Sequence, residues 1–130
     1  MEEPLAVHHL AVVVRDLGRA EAFYGGVLGL PVLKRWTDDA GAPRSVWLGL
    51  GGGGFIAIER AGAGVGEEGP VRADAAPGWH CVALGIAPEA REAWRARLEA
   101  AGVKVERESA YTLYARDPEG NLVALSHYPR

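Results

Sequence analysis

Two histidines, at positions 9 and 80, stand at matching places of an internal repeat. The segment HLAVVV at 9–14 precedes one predicted helix, and the segment HCVALG at 80–85 precedes another. Imidazole is a common metal ligand and the side chain that most readily exchanges a proton near neutral pH. Two histidines at equivalent positions favour a functional site, whereas one alone would favour a buried histidine bonded to the backbone. His8 adjoins His9, so strand alternation predicts that it points to the opposite face.

Aromatic and polar side chains of the predicted strands are candidate ligand contacts. Such aromatic residues more often pack in a core, but with four of them we expect that some line a pocket: Trp36, Trp47, Tyr111 and Tyr114. Ser126 shares a strand face with Ala124, and Glu59 shares one with Ala57. The predicted ligand-binding residues are Trp47, Tyr111, Ser126 and Arg116.

Three further motifs are interpreted as structural. The segment GLGGGG at 49–54 has the spacing of a dinucleotide-binding loop, but a strand follows it, whereas pyrophosphate binding needs a helix there. It therefore predicts a hairpin turn. The segment DPEG at 117–120 is typical of a type I turn, with Pro118 and Gly120 at the favoured positions. Cys81 follows His80 and is expected to pack as a small buried hydrophobe.

The elements that position these residues occur twice in the same order. Each half of the chain predicts a strand, a helix and three more strands. The first helix follows a cap at Asp16 and ends at Gly29, and the second begins near Pro88 and ends at Gly102. The predicted strands are Val7–Val14, Val32–Thr37, Arg44–Leu50 and Phe55–Arg60 in the first half, and Trp79–Ile86, Val103–Glu108, Tyr111–Arg116 and Leu122–Tyr128 in the second.

The last strands of the two halves also match, as FIAIER at 55–60 and LVALSH at 122–127. An α+β fold of two βαβββ modules is therefore expected, at about 5–60 and 78–129, within one domain over 1–130. The stretch 61–77, rich in Ala, Gly, Glu and Pro, predicts a linker. Because a four-stranded sheet cannot easily bury its concave face alone, we expect the modules to enclose a shared cleft.

Charge and cysteine content exclude several classes. The net charge is −3 and no basic stripe is present, which argues against nucleic-acid binding. The longest apolar run near the start is too short to span a bilayer. The one cysteine cannot form an internal disulfide, so a cytoplasmic protein is the expectation.

The chain resembles the vicinal oxygen chelate superfamily, which includes glyoxalase I, extradiol dioxygenases, and fosfomycin and bleomycin resistance proteins. The resemblance is carried by HLAVVVRDL at 9–17, AFY at 22–24, VLGL at 27–30 and RDPEGNLV at 116–123, and it covers nearly the whole chain. It implies the glyoxalase-like fold, but not one particular activity.

The resemblance also implies a divalent metal, held by ligands from the first and fourth strands of each module. His9 and His80 match the first-strand positions, whereas Ala57 and Ala124 stand where the family places carboxylates. Glu59 lies two residues beyond Ala57, about 6.5 Å along the strand. It replaces the missing ligand only if the glycine-rich turn shifts the register by two. His9, His80 and Glu59 would then suit Fe, Mn, Ni or Zn, with Glu59 the catalytic carboxylate.

Two functions stay open on this sequence, and a third, a degenerate module retained for assembly, has no specific support. The first is a metal-assisted lyase, isomerase, transferase or dioxygenase, which the paired histidines favour. The second is a metal-free small-molecule binder of the bleomycin-resistance type, which Ala124 favours. Both predict a small-molecule partner, without nucleic acid or membrane, and the resemblance implies a homodimer.

Overall fold

The computed structural model describes residues 3–64 and 77–130, which fall into two compact units. The first unit is Met1–Glu68 and the second is Gly69–Arg130. Each contains a four-stranded mixed sheet and a helix, so the predicted α+β fold with a repeated βαβββ order is confirmed. Most of the predicted linker, 65–76, lies outside the described residues. Within the described residues no helix is long and apolar enough to cross a membrane.

The first unit orders its strands β1-β4-β3-β2, with β1 parallel to β4 and the other pairs antiparallel. Asp16 caps the helix by accepting a hydrogen bond from the Arg19 N–H. After Glu21 the helix widens into a π-helical segment, Ala22–Val27. The elements are β1 (His9–Val14), α1 (Leu17–Glu21), β2 (Val32–Thr37), β3 (Pro43–Gly49) and β4 (Phe55–Arg60).

The helix of the first unit packs on one face of this sheet. Val46 pairs with Ile58 and Leu48 with Ile56, and all four side chains are buried. A Cβ built at Gly25, in the π-helical segment, would come within 3.2 Å of Leu48. The alternate residues of the same strands therefore lie on the face away from the helix.

The second unit repeats this topology with the order β5-β8-β7-β6. Its core face carries Leu113, Val123 and Leu125, and Leu98 of the helix is buried. The elements are β5 (Val82–Gly85), α2 (Arg91–Ala100), β6 (Arg107–Glu108), β7 (Thr112–Arg116) and β8 (Leu122–Ser126).

Several predicted strands are shorter than expected. β1 begins at His9 rather than Val7, and β5 begins at Val82, so Trp79 and His80 precede it. The strand predicted from Val103 is reduced to Arg107–Glu108, because Gly102 takes a positive φ and the Val103 N–H bonds back to the Leu98 carbonyl. This C-terminal capping leads the chain away from the sheet before pairing starts.

Candidate functional site

A row of four rings crosses the face of the first sheet that lies away from α1. His9 stacks on Phe55 at 4.7 Å, Phe55 on Trp47 at 4.6 Å, and Trp47 contacts Trp36 at 5.2 Å between ring centroids. We call these four residues the ring row, and the side of the sheet that carries them the ring face. Each of the four strands supplies one ring, so the row depends on the register of the whole sheet.

The hairpin between β2 and β3 holds one end of the ring row in place. Asp38 accepts hydrogen bonds from the Ala40 and Ala42 N–H groups in the turn, and from the Arg60 guanidinium of β4. The bond from Arg60, followed by the bond from Ala42, lowers the pKa of Asp38. Asp38 is therefore charged at neutral pH, and its three hydrogen bonds link the turn to β4.

Successive side chains of β2 point to opposite faces of the sheet and make different contacts. Arg35 forms an ion pair with Glu21 of α1, and its hydrogen bond lowers the pKa of that carboxyl. Lys34 and Trp36, on either side of Arg35, face the other way. The Lys34 ammonium lies 3.9 Å from the centroid of the Trp36 ring, a cation–π contact at the end of the ring row.

His8 departs from its prediction. Its Nδ1 lies 2.9 Å from the Nδ1 of His9, and its ring contacts Phe55 edge-on at 5.7 Å. β1 begins only at His9, so strand alternation does not turn His8 to the opposite face. One of the two imidazoles donates and the other accepts, which ties the tautomer of His9 to that of its neighbour.

The carboxylate of Glu59 lies on the ring face, but not beside His9. Phe55 is the residue opposite His9, and Glu59 lies four residues further along β4, opposite Val13. Four residues advance a strand by about 13 Å. The position nearer to His9 belongs to Ala57, which pairs with Ala11 and Trp47 and offers no donor. The donor set of the first unit therefore does not fit a metal centre built on His9 and Glu59.

In the second unit, His80 lies outside the sheet and next to a cation. Its Nε2 is 3.5 Å from a guanidinium nitrogen of Arg107, and that guanidinium lies 4.5 Å from the Tyr114 ring centroid. A positive group at this nitrogen disfavours a metal cation there. Among the described residues, no three His, Cys, Asp or Glu side chains come together as metal ligands.

Strand pairing also changes the match between the two histidines. Ala11 pairs with Ala57 in the first unit, and Ala83 pairs with Ala124 in the second. Two residues before Ala11 is His9, but two residues before Ala83 is Cys81. By strand pairing, the residue equivalent to His9 is therefore Cys81. The alignment of the two halves that matches His9 with His80 is wrong by one residue.

The predicted ligand contacts of the second unit each interact with other residues of that unit. Ser126 accepts a hydrogen bond from the Thr112 hydroxyl at 2.9 Å. Arg116 donates to Glu106 at 3.0 Å, and Tyr111 packs edge-on against the rings of His127 and Tyr128. Of the predicted ligand contacts, only Trp47 lies on the ring face.

Asp117 is structural, as expected. It is 4 % exposed and accepts hydrogen bonds from the Glu119 and Asn121 N–H groups, which closes the DPEG turn. Sequence reasoning missed Ser45 and Phe55. Both alternate with core residues in their strands, and that alternation is the signal that places them on the ring face.

Comparison with known proteins supports the same fold. A family model described as the Glyoxalase/Bleomycin resistance protein/Dioxygenase superfamily matches residues 6–125. No curated protein matches the chain in sequence.

Three similar solved structures illustrate the likeness. A protein designated SMU.1112c is 26 % identical, with a TM-score of 0.75 over 96 % of this chain and 100 % of that one. The fosfomycin resistance protein FosX from Mesorhizobium loti is 19 % identical, with a TM-score of 0.69 over 97 % and 92 %. A FosX variant from Listeria monocytogenes, complexed with Mn(II) and a dihydroxypropylphosphonic acid, is 20 % identical, with a TM-score of 0.70 over 94 % and 91 %. The chain belongs to the Glyoxalase/Bleomycin resistance protein/Dioxygenase superfamily.

Proposed function

We propose that this protein is a metal-free small-molecule binding protein, and that it holds a planar apolar ligand against the ring row. The observation that carries the proposal is the row itself, because four rings in consecutive contact offer a continuous aromatic surface. Stacking and edge contacts of aromatic rings add about 0.5–1.5 kcal/mol to the burial of their area.

The ring row is reachable from solvent. His9 and Lys34 are exposed, and Trp36, Trp47 and Phe55 are partly exposed. Partly exposed aromatic rings with a few polar groups beside them are typical of small-ligand sites. Ala11 and Ala57, between the ring row and Glu59, carry only methyl groups, so they add little bulk to the ring face.

The donor set supports binding without a metal. Ala57 and Ala124 lie on the strands where the family places carboxylates, Glu59 is displaced along β4, and Cys81 is in step with His9. Three protein ligands are the usual minimum for a catalytic zinc.

A second candidate is a metal-assisted lyase, isomerase or dioxygenase. It is favoured by the His9 and His80 imidazoles and by the Mn(II) in the Listeria FosX structures. The ligand set expected for that function is His9, His80 and Glu59, with Glu59 as the catalytic base, but the strand register argues against it because Glu59 lies about 13 Å along β4 from Phe55, the residue opposite His9. Homodimer formation and a cytoplasmic location also stay predictions, which sedimentation and cell fractionation would check.

One experiment separates the two functions. Untagged protein is stripped with EDTA and titrated calorimetrically with 1-naphthoate and with neutral 1-naphthamide, each with and without Mn(II). We expect one-to-one binding of a naphthalene probe with an affinity that Mn(II) does not change. Binding that appears only with Mn(II), or a stoichiometric metal retained before stripping, would overturn the proposal in favour of the second candidate.

A further inference from the structure

Three polar atoms of the first unit are buried without a hydrogen-bond partner: Trp36 Nε1, Ser45 Oγ and Trp47 Nε1. No other buried side-chain nitrogen or oxygen of the described residues lacks a partner. Ser45 is 2 % exposed, and it pairs with Trp36 across β2 and β3. Trp47 is two residues beyond Ser45 in β3, so all three side chains lie on the ring face.

All three groups can donate a hydrogen bond. An indole N–H is a donor only, and a serine hydroxyl has one hydrogen to donate. Roughly 90 % or more of buried polar groups in folded proteins are satisfied, so three unsatisfied ones in a group require an explanation. A hydrogen-bond acceptor from outside the chain would satisfy them once the side chains that cover these buried atoms move aside to admit it.

Charge indicates which acceptor fits. The Lys34 ammonium lies over the Trp36 ring, and the Arg44 guanidinium is 6.0 Å from the same ring. Glu59 is negatively charged and pairs with Ser45 from β4, on the opposite side of Ser45 from Trp36 in β2. An anionic acceptor therefore belongs on the β2 side of the ring face, and the charge assistance of the two cations strengthens its hydrogen bonds.

We propose that the ligand is a planar aromatic anion, such as an aromatic carboxylate. Its ring system stacks along the ring row, and its anionic oxygens accept from the two indole N–H groups and the Ser45 hydroxyl, near Lys34. This inference rests on the proposed binding function and adds the chemical class of the ligand.

The test compares three matched naphthalene probes by calorimetry: 1-naphthoate, neutral 1-naphthamide and cationic 1-naphthylmethylamine. We expect 1-naphthoate to bind about tenfold or more tighter than the amide, because the charge-assisted hydrogen bonds are lost with the amide. The amine should bind most weakly. Trp36→Phe, which keeps a ring and removes the N–H, and Lys34→Gln should each weaken 1-naphthoate binding more than 1-naphthamide binding.

Tyr114→Phe in the second unit is the matched control and should leave both affinities unchanged. Circular dichroism and thermal unfolding confirm that the variants fold. Equal affinity for the anion and the amide, both dependent on Trp47, would overturn the inference while leaving the binding function standing; ordered water would then satisfy the three atoms. Failure of all three probes to bind, or binding insensitive to Trp47→Ala, would overturn both.

Discussion

At equivalent strand positions, the first sheet pairs Ser45 with Glu59 and Trp47 with Ala57, whereas the second pairs Thr112 with Ser126 and Tyr114 with Ala124. The register is the same, but the polar atoms are satisfied differently. Thr112 donates to Ser126, while the Ser45 hydroxyl and the Trp47 indole find no acceptor in the chain.

Cations on the two sheets differ in the same way. In the second unit Arg107 lies over Tyr114 and beside His80, and Arg116 pairs with Glu106. In the first unit Lys34 lies over Trp36, next to the unsatisfied donors. Under the proposed function, one copy of the repeated sheet keeps its polar groups for a ligand, whereas the other satisfies them internally.

The largest expected effect is a difference in ligand affinity between variants of the central ring of the first sheet, Trp47, and of the matching ring of the second, Tyr114. Trp47→Ala should weaken 1-naphthoate binding by about 30-fold or more, as expected for a tryptophan at a binding hot spot. Tyr114→Ala, at the matching position of the second sheet, should change the affinity less than about twofold. Calorimetric titration measures both. Equal losses would mean that the second sheet contributes to the same ligand.

A second prediction concerns a double variant that adds metal ligands to the second unit. Cys81 directly precedes β5, and we expect that extending this strand by one residue would place it on the face of Ala83 and Ala124. Cys81→His with Ala124→Glu should therefore bind Zn(II) at least about tenfold tighter than the native protein, since an imidazole and a carboxylate then share one face. Calorimetry on stripped, untagged protein measures this, with each single variant as control. Stoichiometric, tightly held metal in the native protein would contradict the assignment.

Stability should respond in opposite directions at the two hydroxyls. Ser45→Ala removes a buried atom that has no partner, so it should leave the free energy of unfolding unchanged or raise it by up to about 1 kcal/mol. Thr112→Val removes the hydroxyl that donates to Ser126 and should cost about 1–2 kcal/mol. Urea denaturation without ligand gives both values. A destabilised Ser45→Ala protein would show that Ser45 has a structural partner.

The smallest expected effect is a loss of folding stability at acid pH. The pKa of Glu108 is lowered, chiefly by its hydrogen bond from Arg95, and the pKa values of Asp38 and Glu21 are lowered in the first unit. A lowered folded-state pKa contributes stability that is present above the unfolded value and is lost as pH falls through the folded value. Both units should therefore lose stability as the pH falls below about 4.5, the ordinary pKa of a glutamate side chain. Glu108→Gln should flatten that dependence, as urea titrations across the acid range would show; an unchanged slope would contradict it.

Much of the fold could be predicted from the sequence, because the repeat appears in the residues themselves. Strand ends could not, because Gly102 and the Val103 backbone bond decide where β6 begins. The alignment of His9 with His80 was wrong by one position, because identical residue types in the two halves do not reveal which residues pair across neighbouring strands. A shift of one residue moves a side chain to the other face of a strand.

The ring row was only partly predictable. Trp47 was named as a ligand contact, but its contacts with Phe55 and Trp36 depend on the pairing of three strands and on irregularities in β2. The unsatisfied donors depend on burial, which no local pattern encodes. The internal repeat and the resemblance of its motifs therefore indicated the family fold, whereas the chemistry of the ring face required the register of the sheet.

The most direct test uses the four tryptophan indole N–H groups as reporters in a nitrogen–proton correlation spectrum of stripped protein. Trp36 and Trp47 lie on the ring face, whereas Trp79 is exposed and Trp94 stacks with Arg97 on α2. Single Trp→Phe variants assign the four signals. On addition of 1-naphthoate without metal, the account predicts that the Trp36 and Trp47 signals shift downfield while those of Trp79 and Trp94 stay in place. Shifts confined to Trp79 or Trp94, or no shifts without Mn(II), would contradict it.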